Sequence, residues 1–288
     1  MPTLKIVLGP TAVGKTDYSI KLASEIGCPI ISCDSRQIFK GMEIGTAQPS
    51  REQLETVRHY FIATKNPDEY YTAGLFEIEA LALLDVLFKE YDTVVMAGGS
   101  GLYIDALCNG LDDFPPADRE LRAQLAVRLQ TEGIASLRQE LKVLDPESYE
   151  TIDIANTQRV IRALEVTIST GRKFSSFKSG TKKGRPFSIE KTGIIRPREE
   201  VYERIDTRVD KMIGDGLIEE VRRLLPYRDK PALNTVGYKE IFQYLDGAID
   251  LEEAVRLIKR NTRHYAKKQM TYWGRDESIV WNGSVAEF

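Results

Sequence analysis

The chain has 288 residues, 42% hydrophobic and 29% charged, with a net charge of −3. That is enough chain for one large α/β core or two smaller ones, and its average charge gives no hint of nucleic acid. No apolar run approaches a membrane span, and Cys28, Cys33, Cys108, His59 and His264 assemble no zinc site at ordinary ligand spacing, so a bilayer location and a zinc centre are set aside.

The N-terminus, Met1-Pro2-Thr3-Leu4-Lys5, enters an apolar run at once and leaves no room for a signal peptide. Without a CxxC pair the cysteines read as reduced thiols, and a cytoplasmic protein is expected. The run Leu4–Leu8 is followed by Gly9-Pro10-Thr11-Ala12-Val13-Gly14-Lys15-Thr16 and then by a helical segment from Thr16 to Glu25. Strand, glycine loop and helix give the G-x-x-x-x-G-K-[ST] pattern its phosphate-binding context. The glycines let backbone N–H groups turn inward, and the helix N-terminus adds partial positive charge. Lys15 can reach outer phosphates, and the Thr16 hydroxyl suits Mg²⁺. An ordinary glycine turn would not need the Lys-Thr pair. The loop indicates a polyphosphate or a diphosphate and does not say which.

Pro29–Cys33 is a second apolar run, ending at Asp34. A carboxylate there can accept a proton from an attacking nucleophile, or can serve as a helix cap or turn residue; spacing leaves both open. Thr72–Glu90 has apolar residues at helical spacing. Thr93–Ala97 is a β-branched run that stops at Gly98-Gly99-Ser100-Gly101 with no carboxylate, which argues against ordinary nucleotide hydrolysis but not against a small-molecule kinase. In isolation Ser100 reads as an exposed turn serine. Strands alternating with helices predict a parallel sheet whose site lies at the strand C-terminal ends, where three loops converge.

Leu111–Ala117 is a break. From Asp118 to about Ser169 the signals are helical, interrupted at Gly133 and Asp145-Pro146, and Gly171–Pro186 reads as a mobile basic loop. Ile189–Ile195 resembles a returning strand. The rest reads as helical, with Asp250 and Glu253 as a capping box for a helix from about Leu251 to Tyr272. The expected organisation is a catalytic core of residues 1–115 and 189–288 with a helical insertion at 116–188. Arg204 and Arg208 share one helix face and could clamp a diphosphate, although paired surface arginines are commonly solvated. Bases crowd two stretches, Gln158–Lys191 and Arg256–Arg275, the second interleaved with His264, Tyr265, Tyr272 and Trp273. Basic stripes with aromatics suit RNA, while most charge runs are solvated helix faces.

Five segments taken together carry a family resemblance: residues 9–16; Asp-Ser-Arg-Gln-Ile-Phe-Lys-Gly-Met-Glu-Ile-Gly-Thr-Ala (34–47); Gly-Gly-Ser-Gly-Leu-Tyr (98–103); Asn-Thr-Gln-Arg-Val-Ile-Arg-Ala-Leu-Glu-Val (156–166); and Thr-Val-Gly-Tyr-Lys-Glu (235–240). In this order they resemble the bacterial tRNA dimethylallyltransferases, also called tRNA isopentenyltransferases, over nearly the whole chain. The resemblance implies a P-loop NTPase-like parallel sheet flanked by helices, with an inserted helical domain. It implies transfer of a dimethylallyl group from its diphosphate to N6 of adenine 37 beside the tRNA anticodon, with the adenine extruded from the loop stack. The partners are then dimethylallyl diphosphate and the tRNA anticodon stem-loop, the cofactor is Mg²⁺, and the protein is a monomer.

On this resemblance Gly9, Pro10, Thr11, Ala12, Val13, Gly14, Lys15, Thr16 and Arg208 bind the diphosphate, Thr16 helps hold Mg²⁺, and Asp34, Ser100 and Lys15 are catalytic, Asp34 as general base. Asp34, Ser35, Arg36, Gln37, Ser100, Arg122, Gln158, Arg159, Val160, Ile161 and Arg162 contact tRNA. The chain departs from the family at Ser100, where Thr is usual, and at Phe39, where Tyr is usual, and it has no Cys/His zinc-finger tail. A P-loop small-molecule kinase would share the loop, the Mg²⁺ and the carboxylate but would not need two basic stripes. A non-catalytic RNA-binding module and an adenylate prenyltransferase are further alternatives, the latter disfavoured by the insertion and its bases.

Overall fold

The computed structural model describes residues 1–283. It divides into two compact units, Met1–Asn109 with the chain from Gly184 onward, and Gly110–Lys183. The bounds read from sequence, 116 and 188, fall slightly later. Local pairing explains the earlier bounds: Pro115 O and Asp118 N already bond to Arg162 and Glu165, whereas Arg185 already bonds to Glu77.

The first unit is built on a six-stranded parallel sheet: β1 (Thr3–Leu8), β2 (Ile30–Ser32), β3 (His59–Tyr60), β4 (Thr93–Ala97), β5 (Ser188–Ile194) and β6 (Ile279–Asn282), in the order β3-β2-β4-β1-β5-β6. Leu4, Ile6, Val7, Leu8, Val94, Val95 and Met96 are fully buried. Burial on both faces is why β4, and β1 apart from Lys5, read as apolar runs and not as alternation. β1 lies between β4 and β5, with Val7 opposite Ala97 and Leu8 opposite Gly193, so its exit loop emerges at the centre of the sheet.

Helices α1 (Lys15–Ile26), α2 (Arg51–Thr56), α3 (Ala73–Leu87) and α4 (Gly101–Asn109) follow the first four strands. Thr72 caps α3, its hydroxyl accepting from Leu75 N at 3.2 Å. The edge strands β3 and β6 were not predicted, and β6 lies where the sequence reads as helical. Each is only two to four residues long, too short to show a period. Gly193 makes β6 possible, since a Cβ there would come within 2.3 Å of the Trp281 indole.

The second unit packs α5 (Arg119–Glu132), α6 (Ile134–Leu144), α7 (Pro146–Thr151) and α8 (Thr157–Thr170) around Leu125, Leu137, Leu141, Val160, Ile161, Ala163 and Leu164. The predicted interruptions are caps: Gly133 ends α5, and Asp145 caps α7 ahead of Pro146. The Gly171–Pro186 segment is not simply loop. It holds a 3₁₀ turn at Phe174–Phe177, with Phe174 stacked on Phe114 at 4.6 Å, and Ser175 N and Oγ donate to the buried Asp145 carboxylate at 2.8 and 2.9 Å.

The first unit closes with α9 (Arg198–Gly214), α10 (Leu217–Arg223), α11 (Tyr238–Leu245) and α12 (Leu251–Trp273). Asp250 caps α12 through Glu253 N at 2.8 Å, but the reciprocal half of the predicted box does not form, because the Glu253 carboxylate pairs with Arg256 at 2.6 Å. Among the described residues no helix is long and apolar enough to cross a membrane.

Candidate active site

The loop between β1 and α1 is shaped by its neighbours as much as by its own glycines. Gly9 has φ 144°, and a Cβ there would come within 2.3 Å of Ile194 O. Gly14 has φ 100°, and Ala12, at φ 67°, takes up a left-handed conformation that an alanine normally avoids. Two arginines hold that bend: Arg204 Nε donates to Ala12 O at 2.7 Å, and Arg196 Nε to Val13 O at 2.8 Å. Helix α1 then starts with no side-chain cap, which leaves first-turn N–H groups for an anion.

A cavity of about 340 Å³ opens over this loop, lined by Thr11, Gly14, Lys15, Thr16, Asp34, Arg208, Tyr265 and Gln269 among others. Lys15 Nζ donates to Gly9 O at 2.9 Å and Pro10 O at 2.7 Å, and Arg208 reaches Thr11 Oγ1 at 3.4 Å. Burial, and next the nearby Arg208, push the Lys15 ammonium down to about 8; Asp34 opposes this. Burial and then Arg204 lower Arg208 as well. Cations held close together, bonded to carbonyls and a hydroxyl, form an environment that an oligo-anion would relieve. Both Arg204 and Arg208 line the cavity, and Arg204 in addition braces the loop through Ala12 O.

Asp34 resolves the choice between turn residue and cavity carboxylate, because it is both. Its Oδ1 accepts from Arg36 N at 2.8 Å and Gln37 N at 3.2 Å, while Oδ2 has no hydrogen-bond partner among the described residues. Asp34 lines the phosphate-loop cavity and also a second cavity of about 350 Å³, whose wall includes Ser35, Arg36, Gly45 and Thr235; Thr11, Thr46, Ala47, Arg208 and Tyr265 are shared. Burial, and next the Asp34 charge, raise the Tyr265 phenol, so it stays protonated. Ser100 is not on either cavity wall. Its Oγ accepts from Ser35 N at 2.9 Å and donates to Ser35 Oγ at 3.1 Å, which ties the end of β4 to the Asp34 turn.

Gln269 was missed in the sequence. It is 6% exposed, accepts from Thr11 N at 2.8 Å and donates to Gly99 O at 2.8 Å, so one amide joins the phosphate loop to the glycine segment. Tyr265, Gln269 and Tyr272 stand at i, i+4 and i+7 on α12, a periodicity that could have flagged this face beneath the more conspicuous bases. Arg196 left no comparable signal, since its partner Val13 is distant in sequence.

The RNA-facing expectations divide. Arg36 and Gln37 line cavities beside Asp34. In the helical unit Arg122, Gln158 and Arg162 do converge, but on the fully buried Glu165: Arg162 Nη1 bonds its Oε1 at 2.8 Å, Arg162 Nη2 bonds Pro115 O at 2.7 Å, and Arg122 is 3.8 Å from Oε2 and 3.5 Å from Gln158 Oε1. Arg159 is exposed, with no side-chain partner among the described residues. Val160 and Ile161 are corrected: they are 0% and 3% exposed and pack inside the bundle, because helical periodicity turns them away from Gln158 and Arg159. Both basic stripes are also partly neutralised, by Arg185–Glu77, Lys183–Asp113 and Lys191–Asp276 in the first and by Arg256–Glu253, Lys259–Asp210 and Arg263–Asp206 in the second.

Among the described residues no cluster of three His, Cys, Asp or Glu side chains could cage a metal. Thr16 lines the cavity, and its hydroxyl has no partner among those residues. A lone hydroxyl beside a phosphate loop fits Mg²⁺, which keeps several waters and takes other ligands from substrate phosphates.

The family model described as IPP transferase matches residues 37–276. A tRNA dimethylallyltransferase 1 of Phocaeicola vulgatus is 49% identical over 97% of this chain and 93% of its own length. The crystal structure of the full-length tRNA isopentenylpyrophosphate transferase from Bacillus halodurans superposes with a TM-score of 0.71 at 34% identity, covering 98% of this chain and 89% of that one. A eukaryotic dimethylallyltransferase acting on tRNA shares the fold, with a TM-score of 0.81 at 23% identity over 99% of this chain and 75% of that one.

Proposed function

The chain belongs to the IPP transferase family, and on that premise we propose that it transfers a dimethylallyl group from dimethylallyl diphosphate to N6 of adenine 37 beside the tRNA anticodon, giving N6-isopentenyladenosine and diphosphate. The observation that carries this reading is Asp34, whose Oδ2 has no partner among the described residues while the residue lines both the cation-rich cavity and its neighbour. In the reaction the adenine N6 attacks the allylic carbon, a C–N bond forms, the C–O bond to the diphosphate breaks, and Asp34 takes the proton that N6 sheds.

Negative charge grows on the leaving diphosphate. Lys15, Arg208 and the first-turn N–H groups of α1 are aimed at it before reaction starts, which is where electrostatic stabilisation is most effective. Thr16 would hold Mg²⁺, which supplies further neutralisation of the diphosphate when bound. Ser100 and Gln269 hold the Asp34 turn, the glycine segment and the phosphate loop in register, and through that turn Ser100 serves the catalysis and tRNA contact we assign beside Asp34. Arg36 and Gln37 beside Asp34, and Arg159 with the Arg122–Gln158 face of the helical unit, are the contacts we assign to tRNA.

The test is incubation with labelled dimethylallyl diphosphate, Mg²⁺ and unmodified tRNA, followed by nucleoside analysis. Label in N6-isopentenyladenosine is expected. ATP turnover without prenyl transfer would instead favour the small-molecule kinase.

A further inference from the structure

Behind the two cavities lies a buried carboxylate that the reaction does not use. Glu220, on α10, is 1% exposed. Its Oε2 accepts from Ile44 N at 2.7 Å, and its Oε1 from Gly45 N at 2.9 Å and from the Tyr238 hydroxyl at 2.7 Å. Tyr238 is itself fully buried, and burial followed by the Glu220 charge drives its phenol upward, so it remains a donor. Its ring closes on Gly45, where a Cβ would come within 2.6 Å.

The turn held in this way continues to the cavity. Thr46 O and Ala47 O accept from Gln37 Nε2 at 3.2 and 3.0 Å, and Gln48 Nε2 returns to Gln37 O at 2.9 Å. Ala47 sits at φ 50°, a conformation that persists only where its surroundings impose it. Gln37 N and Arg36 N then fix Asp34 Oδ1. We infer that Glu220 is a positioning residue that sets the aim of Asp34 through the 44–48 turn and Gln37. The inference rests on the prenyl-transfer reading above. Glu220→Gln keeps the shape but turns one oxygen into a donor facing donors, so at least one of the three hydrogen bonds is lost.

The experiment is a double-mutant cycle on single-turnover prenyl transfer to tRNA, run well below the melting temperature of every variant, with the affinity for dimethylallyl diphosphate measured alongside. In the wild-type background Glu220→Gln is expected to lower the rate about 10-fold, at the lower end of the scale for losing an outer support of a functional group because the turn and Gln37 stand between Glu220 and Asp34, with donor affinity within about twofold. In an Asp34→Ala background the same substitution is expected to change the rate less than about twofold, because nothing is left to aim. Equal loss in both backgrounds, or no loss in either, overturns the inference alone. A wild-type protein that transfers no prenyl group overturns the reaction itself and the inference with it. If Glu220→Gln does not fold, Tyr238→Phe, which removes one donor and keeps the packing against Gly45, goes through the same cycle with the same criterion.

Discussion

The cations over the phosphate loop and those of the helical unit are similar in number and opposite in circumstance. In the cavity Lys15, Arg204 and Arg208 bond to carbonyls and a hydroxyl, and Lys15 has lost affinity for its own proton. In the helical unit Arg122 and Arg162 gather around the buried carboxylate of Glu165, and Arg162 also fastens Pro115. Positive charge is ready for a polyanion where the nearby carboxylates, Asp17 and Asp34, form no ion pair with it among the described residues. Where the fold supplies one, the same residue type serves the architecture. A count of lysines and arginines along the chain cannot separate the two cases.

Substitutions can sharpen that contrast. Lys15→Ala is expected to lower turnover by about 10²–10³, the scale for losing one pre-aimed donor to a developing anion, with the melting temperature little changed. Arg162→Met is expected to do the reverse in the helical unit. It should cost roughly 2 kcal/mol of stability by denaturant melt, less than a fully buried pair would lose because Arg162 is 26% exposed, and should leave donor affinity unchanged. A loss of donor affinity without a loss of stability would erase the distinction.

The depressed Lys15 adds a pH signature. Affinity for the diphosphate donor should weaken as pH rises through about 8, by at most about tenfold per unit, and Lys15→Met should flatten that limb. For folding the sign is opposite. Lys15 is harder to protonate in the native state than at its ordinary 10.5, so its cost to stability is present below about pH 8 and is relieved between there and 10.5. Isothermal titration with the donor and thermal melts across pH 7–10 (a range of about three units) read both effects. The smallest expected change is at Arg159, where Ala should weaken tRNA binding about threefold and reduce the salt slope by about one phosphate contact; an unchanged slope would remove Arg159 from the RNA surface.

What was legible in the sequence was local. The phosphate loop, the breaks at Gly133 and Asp145-Pro146 and the Asp250 cap each depend on residues within a few positions of one another. β1, β2 and β4 were legible because burial on both faces leaves apolar runs, whereas β5, Ser-Ile-Glu-Lys-Thr-Gly-Ile, is only partly buried, and β3 and β6 were lost because two to four residues carry no period. The braces of the site were also hidden. Arg196 and Arg204 find Val13 and Ala12, Gln269 finds Thr11 and Gly99, and Glu220 finds Ile44 and Gly45, all across long stretches of chain. Val160 and Ile161 show a different limit: a motif read as a block assigns one role to neighbours that a helix points in different directions.

The central claim is that one carboxylate serves a reaction whose leaving group sits on the phosphate loop. Single-turnover transfer by Asp34→Ala, with donor affinity measured on the same protein, tests it most directly. The account predicts a rate lower by roughly 10²–10⁴ with donor affinity within a few-fold of wild type. A near-normal rate would contradict it.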